Sequence, residues 1–494
     1  MCELCIENSL SMWDRHEATS GGALSTSTNK TVWNNSQVIN QLDSGYQWSG
    51  SAITYSIPTN ANWFPYGEAN GFSAFNATQR AAANSAIDLW DDLISASFSQ
   101  TTNASASDIE FSNTTTNISY AHAYYPGGWS GGGSIWLNNN YSSLSDPDLG
   151  EYGFMAVLHE LGHALGLDHA GNYNGGSPNY QNDASHAQDS QMYTIMSYFG
   201  SGNTGADWWF SDGSYAYAQT PMVHDVLAIQ NIYGADQTTR SGDTVYGFNS
   251  NADNDIFDFN INQHPVLTIW DGGGNDTIDL SGYSDASTVY LRPGSYSDAF
   301  GAVNNLAIAY GAWIENAIGG SGGDRLTGHQ FANTLQGLGG NDVLRGLDGD
   351  DVLLGGDGND RMLGDGGRDR LIGHNGDDKL YGGSDKDYLN GGSDNDQLFG
   401  NVGNDRLLGG LGNDTLAGGG NIDAFVFNRA SWGDDVITDF QDNFDKIVMR
   451  GSGFKAGDLN VVNSGGDAVV DFGNGDTITL LGEAGNIGSS DFIF

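Results

Sequence analysis

Basic residues are scarce in this chain: its 494 residues carry 17 Lys and Arg against 61 Asp and Glu, a net charge of −44. A balance so negative excludes a nucleic-acid-binding protein, whose affinity rests on cations facing phosphates. Cysteine is almost absent, confined to Cys2 and Cys5, so no disulfide framework holds the fold. No apolar run approaches the roughly 20 residues of a membrane-spanning helix. The N-terminal MCELCIENSL lacks the basic start and apolar stretch of a cleavable secretory signal, so if the protein is exported another route is expected to carry it.

Glycine is plentiful, with 73 residues, and together with the carboxylates it is concentrated in the second half. Two composition regimes in a chain of this length predict two domains. A carboxylate excess of this size repels itself unless cations are bound, and hard cations take oxygen ligands. Calcium is therefore expected before any motif is read.

Residues 1 to 20 are short and polar and read as a leader. From about 45 to 240 the texture is that of a globular core. Ala82, Ala86, Ile87, Trp90 and Ile94 recur at helical spacing behind Asn76 or Thr78 as N-cap. Further helices are predicted over 154–165 and over 223–233, the latter stopped at Gly234, with short strands at 109–111 and 134–137. This part reads as α+β.

From residue 319 a nine-residue period takes over, as in GLGGNDVLR at 337 and GGDGNDRML at 355. Asp recurs at 324, 342, 351, 360, 369, 378, 387, 396, 405, 414 and 423, broken only by Asn333, and an apolar residue follows two places later throughout. That periodicity is the signature of a parallel β-roll that binds calcium in its turns. Turn carbonyls and the Asp carboxylate supply oxygen ligands, and the apolar residue fills a narrow core. A disordered Gly/Asp linker would not keep one apolar position in phase over so many units.

The segment HELGHALGLDH, residues 159 to 169, points to the chemistry. His159 and His163 stand four apart, which puts both imidazoles on one helix face, and Glu160 lies about 100° further round. Gly166 allows a left-handed residue that ends the helix and turns His169 back to the same ion. Three nitrogens leave a zinc open for substrate, with Glu160 as general base. A bare HExxH occurs by chance, but Gly166, His169 and the following TIMSY at 194–198 argue against a plain surface helix.

These residues resemble the metzincin proteases, in which a Met-containing turn, here Met196, lies beneath the zinc. HELGHALGLDHAGNY, TIMSYF, AIQNIYGAD, GDTVYGFNSN, IWDGGGNDTIDLSGY and IENAIGGSG narrow the resemblance to the serralysin family, from about residue 20 to the end. The resemblance implies a zincin-like catalytic domain over 21–245 and an all-β C-terminal domain over 246–494 with its nonapeptide repeats at 319–426. It implies a broad-specificity zinc endopeptidase with several structural calcium ions. Tyr198 is implied as a movable zinc ligand that also bonds the tetrahedral intermediate. Ser134, Trp136 and Asn138 match the family's substrate-pairing edge strand. Asp243, Asp271, Asp276 and Glu315 fall where the family has calcium ligands ahead of the main repeats. The final DFIF resembles a type I export signal, with Phe where the family usually has Val. The expected partners are polypeptide substrates and the export machinery, and the chain is expected to be a monomer. Cys2 and Cys5 are either a thiolate latch on the zinc or incidental residues of a lost leader. A non-catalytic calcium-dependent adhesin is the rival; a lipase-like hydrolase is disfavoured because no GxSxG elbow is apparent.

Overall fold

The structure, a computed structural model, describes residues 28, 30–61, 67–116, 118–127, 131–428, 432–473 and 475–494. Cys2, Cys5 and the leader lie outside the described residues.

The N-terminal half is built on a five-stranded sheet whose spatial order is β2 (Ser97–Gln100), β1 (Ala52–Ser56), β3 (Ile109–Thr114), β5 (Ser134–Asn138) and β4 (Ala121–Ala123). All neighbours are parallel except β4, which runs antiparallel to β5 with His122 opposite Trp136. Four helices matter here: α1 (Asn35–Leu42), α2 (Ala77–Asp91), α3 (Tyr152–Ala164) and α4 (Val223–Tyr233). Asn76 caps α2 through a reciprocal pair of bonds with Gln79, satisfying donors that the first turn leaves open. The apolar stripe of α2 is buried, with Ala82, Ala86, Ile87 and Trp90 all under 7% exposed. Gly234 ends α4 at φ +79°.

The C-terminal half consists of two eleven-stranded sheets and a small three-stranded one. Successive nonapeptide strands alternate between the large sheets, so sheet neighbours are 18 residues apart, as in Leu335 beside Leu353 and Leu344 beside Met362. Each turn sends one side chain, from Leu326 through Leu416 to Phe425, into a fully buried file between the sheets. The predicted roll is therefore present, and β-strand alternation explains it: every second residue of each strand faces inward. The two halves share one apolar core, reinforced where Tyr296 Oη donates to the carbonyl of Met192 at 3.0 Å and Arg240 pairs with Asp92 at 2.8 Å.

Candidate metal and catalytic site

Helix α3 delivers His159 and His163, and the turn after it delivers His169. Gly166 breaks the helix at φ +107°, and a Cβ there would fall 2.1 Å from the carbonyl oxygen of Tyr46. The reversal thus needs glycine both for its dihedral and for its contact with the α1 exit. Asp168 pins the third histidine, its Oδ1 accepting from the His169 N–H at 2.7 Å and from Tyr125 Oη at 2.8 Å.

The ligand atoms of the three imidazoles lie within 4.8 Å of one another. Nδ1 of His159 donates to the carbonyl of Ile195, and Nδ1 of His163 to that of Leu167, each at 2.7 Å. A carbonyl oxygen only accepts, so each of these rings carries its proton on Nδ1 and its lone pair on Nε2. His169 is held by the backbone of Tyr173, and its Nε2 stands 3.1 Å from that of His163. Two zinc-bound nitrogens at about 2.0–2.1 Å would stand about 3.3 Å apart in a tetrahedral site, so the donor set and its spacing fit zinc. Burial pushes all three histidines down to about 3, which keeps them neutral and able to ligate.

Glu160 is 7% exposed. It accepts a hydrogen bond from the Ala123 N–H of β4, while its Oε2 has no partner. Burial raises its carboxyl to about 8, the range a proton-shuttling base needs near neutral pH. Met196 is fully buried beneath α3, against Gly162. Its turn is held by Asp225 at the start of α4, which accepts from Thr194 Oγ1 and from the N–H groups of Ile195 and Met222. Sequence reasoning missed Asp225, for a lone Asp in an apolar helix carries no motif. Tyr198 lies edge-on to His169, 4.6 Å between ring centroids, and its hydroxyl accepts a long 3.4 Å bond from Gly175.

One expectation is overturned. Ser134, Trp136 and Asn138 lie on β5, which is interior to the sheet, between β3 and β4. All three side chains are buried, with Ser134 and Trp136 at 0% exposure and Asn138 at 5%. The edge is β4. Tyr124 donates to Ser134 and Asn138 donates to Tyr120 across the ladder, so by strand alternation the backbone groups of Ala121 and Ala123 face away from β5. Glu160 bonds Ala123 on that outer side.

Of the four residues expected before the repeats, Asp271, Asp276 and Glu315 crowd together. Asp276 donates its N–H to Glu315 Oε2 at 2.8 Å, its own Oδ2 is buried without a partner, and burial with Asp271 and Glu315 beside it raises the carboxyl to about 7. Asp243 is exposed and joins them through the Asn275 N–H at 3.0 Å.

In the repeats the aspartates of the nine-residue series share one pattern of main-chain bonds. The N–H of Asp360 donates to Oδ1 of Asp378 18 residues on, and this rung recurs from Asp324 to Asp414 and from Asn333 to Asp423. The second oxygen, Oδ2, is buried and unpartnered at Asp342, Asp351, Asp360, Asp369, Asp378, Asp387, Asp396 and Asp405. Unpaired buried carboxylate oxygens beside glycine carbonyls are the donor set of a hard cation. Asp435 and Asp445 continue the two ladders; their spacings of 12 and 10 residues from Asp423 and Asp435 hid them from a nine-residue count.

A family model described as Peptidase M10 serralysin C terminal matches residues 235–482, half of the chain. A second, described as Matrixin, matches residues 47–199. The chain belongs to the serralysin family. It is 42% identical over 319 residues to serralysin C of Dickeya chrysanthemi, covering 61% of this chain and 65% of that protein. It is 41% identical over 295 residues to metallopeptidase AprA of Pseudomonas marginalis, covering 58% and 61%, and 43% identical over 278 residues to serralysin of Photorhabdus luminescens, covering 54% and 55%. The chain thus spans less than two thirds of the length of each of these serralysin relatives. No helix among the described residues is long and apolar enough to cross a membrane.

Proposed function

We propose that this chain is a secreted zinc endopeptidase of broad specificity, with His159, His163 and His169 as zinc ligands and Glu160 as general base. The observation that carries the reading is the partnerless Oε2 of Glu160, buried beside three neutral imidazoles whose ligand atoms converge. Zinc bound there would polarise the scissile carbonyl and acidify a water. Glu160 takes the proton of the attacking water and delivers it to the leaving amine, a role its raised affinity for protons suits. The Ala123 N–H fixes the carboxylate's other oxygen, so the shuttling oxygen has one orientation.

A substrate chain adds to the outer edge of β4 through main-chain hydrogen bonds, which do not read side chains and so give broad specificity. Tyr198, whose hydroxyl is held by the long contact to Gly175, swings to donate its phenol to the developing oxyanion. Calcium in the roll turns and at Asp243, Asp271, Asp276 and Glu315 stabilises the C-terminal half. The catalytic part corresponds to 21–245 and the calcium part to 246–494; the product leaves the cell by a type I route and acts as a monomer on polypeptides. A calcium-dependent adhesin would leave the triad and Glu160 without a purpose.

The test is casein zymography after chelation, with zinc and calcium restored separately, alongside Glu160→Gln. Activity should return only with both metals, and Glu160→Gln should retain one zinc per chain while losing at least about 100-fold in rate. Near-normal cleavage by that variant removes Glu160 from its role.

A further inference from the structure

Six aromatic rings form an unbroken run beside the edge strand. Tyr141 packs on Tyr120 at 4.9 Å between centroids, Tyr120 on Tyr152 at 5.3 Å, and Tyr152 on Tyr217 at 5.3 Å. Tyr217 then packs on Tyr215 at 5.1 Å and Tyr215 on Trp209 at 5.3 Å. Tyr120 immediately precedes β4 and Tyr152 opens α3, so the run starts at the edge strand and leads away from it. Tyr120 and Tyr217 are half-buried against the core, and the other four rings are open to solvent: Trp209 is 58% exposed, Tyr141 44%, Tyr152 41% and Tyr215 37%. Contiguous exposed apolar surface of this kind marks an interaction site.

The electrostatic setting selects the ligand. Between Arg80 and Arg240 the sequence holds Asp and Glu throughout but not one Lys or Arg. Exposed Asp146, Asp148 and Glu151 lie in the segment between Tyr141 and Tyr152, and exposed Asp207 stands two residues before Trp209, while Asp212 beyond it is paired with His264 Nε2 at 2.7 Å. The ring quadrupole and the unneutralised carboxylates attract the same sign of charge. A neutral glycan would use the rings and ignore the field, and an acidic polymer would be repelled.

We propose that the run from Tyr141 to Trp209 is a second contact surface for the substrate polypeptide, taking a cationic segment rich in aromatic or aliphatic side chains. This rests on the endopeptidase reading. A chain lying along β4 passes Ala123, where Glu160 is bonded, then Ala121 and Tyr120, and its continuation on that side meets the rings. The continuation on the other side of the scissile bond does not. The surface therefore favours cationic sequence on one side of the cut only.

The experiment uses the full chain with calcium and zinc and three peptides sharing one neutral cleavable core: untailed, with an alternating Lys-Phe tail on the N-terminal side, or with the same tail on the C-terminal side. One tail and not the other should raise kcat/KM about tenfold through KM at low salt, with the gain shrinking as salt rises. In Trp209→Ala with Tyr215→Ala, the ratio of tailed to untailed kcat/KM should fall towards one. Should that pair fail to fold, Asp146→Asn with Asp148→Asn removes charge from the surface and should lower the same ratio. No gain from either tail, an equal gain from both, or a gain that persists in the variants overturns the proposal. If the untailed core is itself left uncut by the wild type, the endopeptidase reading fails first and this inference falls with it.

Discussion

Gly162 faces the sulfur of Met196: a Cβ added to Gly162 would lie 2.8 Å from Sδ and 3.4 Å from the indole of Trp90. The helix that carries two imidazoles therefore rests directly on the turn whose Ile195 carbonyl orients the first of them.

Gly162→Val should accordingly do two things. Overpacking should cost about 1–3 kcal/mol, read as a lowered Tm, and displacement of the turn should weaken zinc retention in dialysis. An unchanged Tm with full zinc content would show that Met196 yields freely.

The edge strand makes a prediction about backbone alone. Ala121→Pro removes an outward N–H from β4, a substitution that an edge position tolerates structurally. It should lower kcat/KM by about tenfold or more on peptides of quite different sequence, whereas Ser134→Ala, within buried β5, should change stability without changing substrate ranking. A loss confined to one peptide would argue against backbone pairing at β4.

In the roll, Asp378→Asn preserves the rung from Asp360 but turns the partnerless Oδ2 into an N–H donor. The calcium concentration at which circular dichroism reports folding should rise severalfold, and bound calcium should fall. Asn333 already displays such a rung: its Nδ2 donates to the carbonyl of Glu315 at 2.8 Å. Unchanged calcium content in Asp378→Asn would mean that Oδ2 is not a ligand.

Glu110 gives a pH signature away from any metal. It lies buried in β3, and burial, only partly offset by the Ser107 hydroxyl, raises its carboxyl to about 8 against about 4.5 when unfolded. With the folded value the higher, its contribution to stability is fully present below about 4.5 and is lost as pH rises through about 8. Glu110→Gln cannot ionise, so its Tm relative to wild type should climb between pH 5 and 8.5. A constant difference would refute the shift.

Much of the fold and site is legible in the sequence where one residue type at one spacing is physically required. The left-handed Gly166 follows from the need to reverse the chain, and the Asp and Leu files from their period. The rest depends on partners far away in sequence or on main-chain atoms. Tyr46 is the reason that only glycine fits at 166, and the second bonds of the imidazoles go to the carbonyls of Ile195 and Leu167, which no side chain announces. The edge is misplaced from sequence for the same reason: SIWLN and AHA are both strands, and which of them is outermost is settled by pairing across the sheet.

The rung at Asn333 has one more consequence. On its ladder it is closed by an amide and His329, not by a free carboxylate oxygen, whereas the rungs at Asp351, Asp369, Asp387, Asp405 and Asp423 each leave an oxygen waiting for an ion. Loss of calcium from the turns would thus leave this one rung closed, a stitch in the ladder tied by the protein alone.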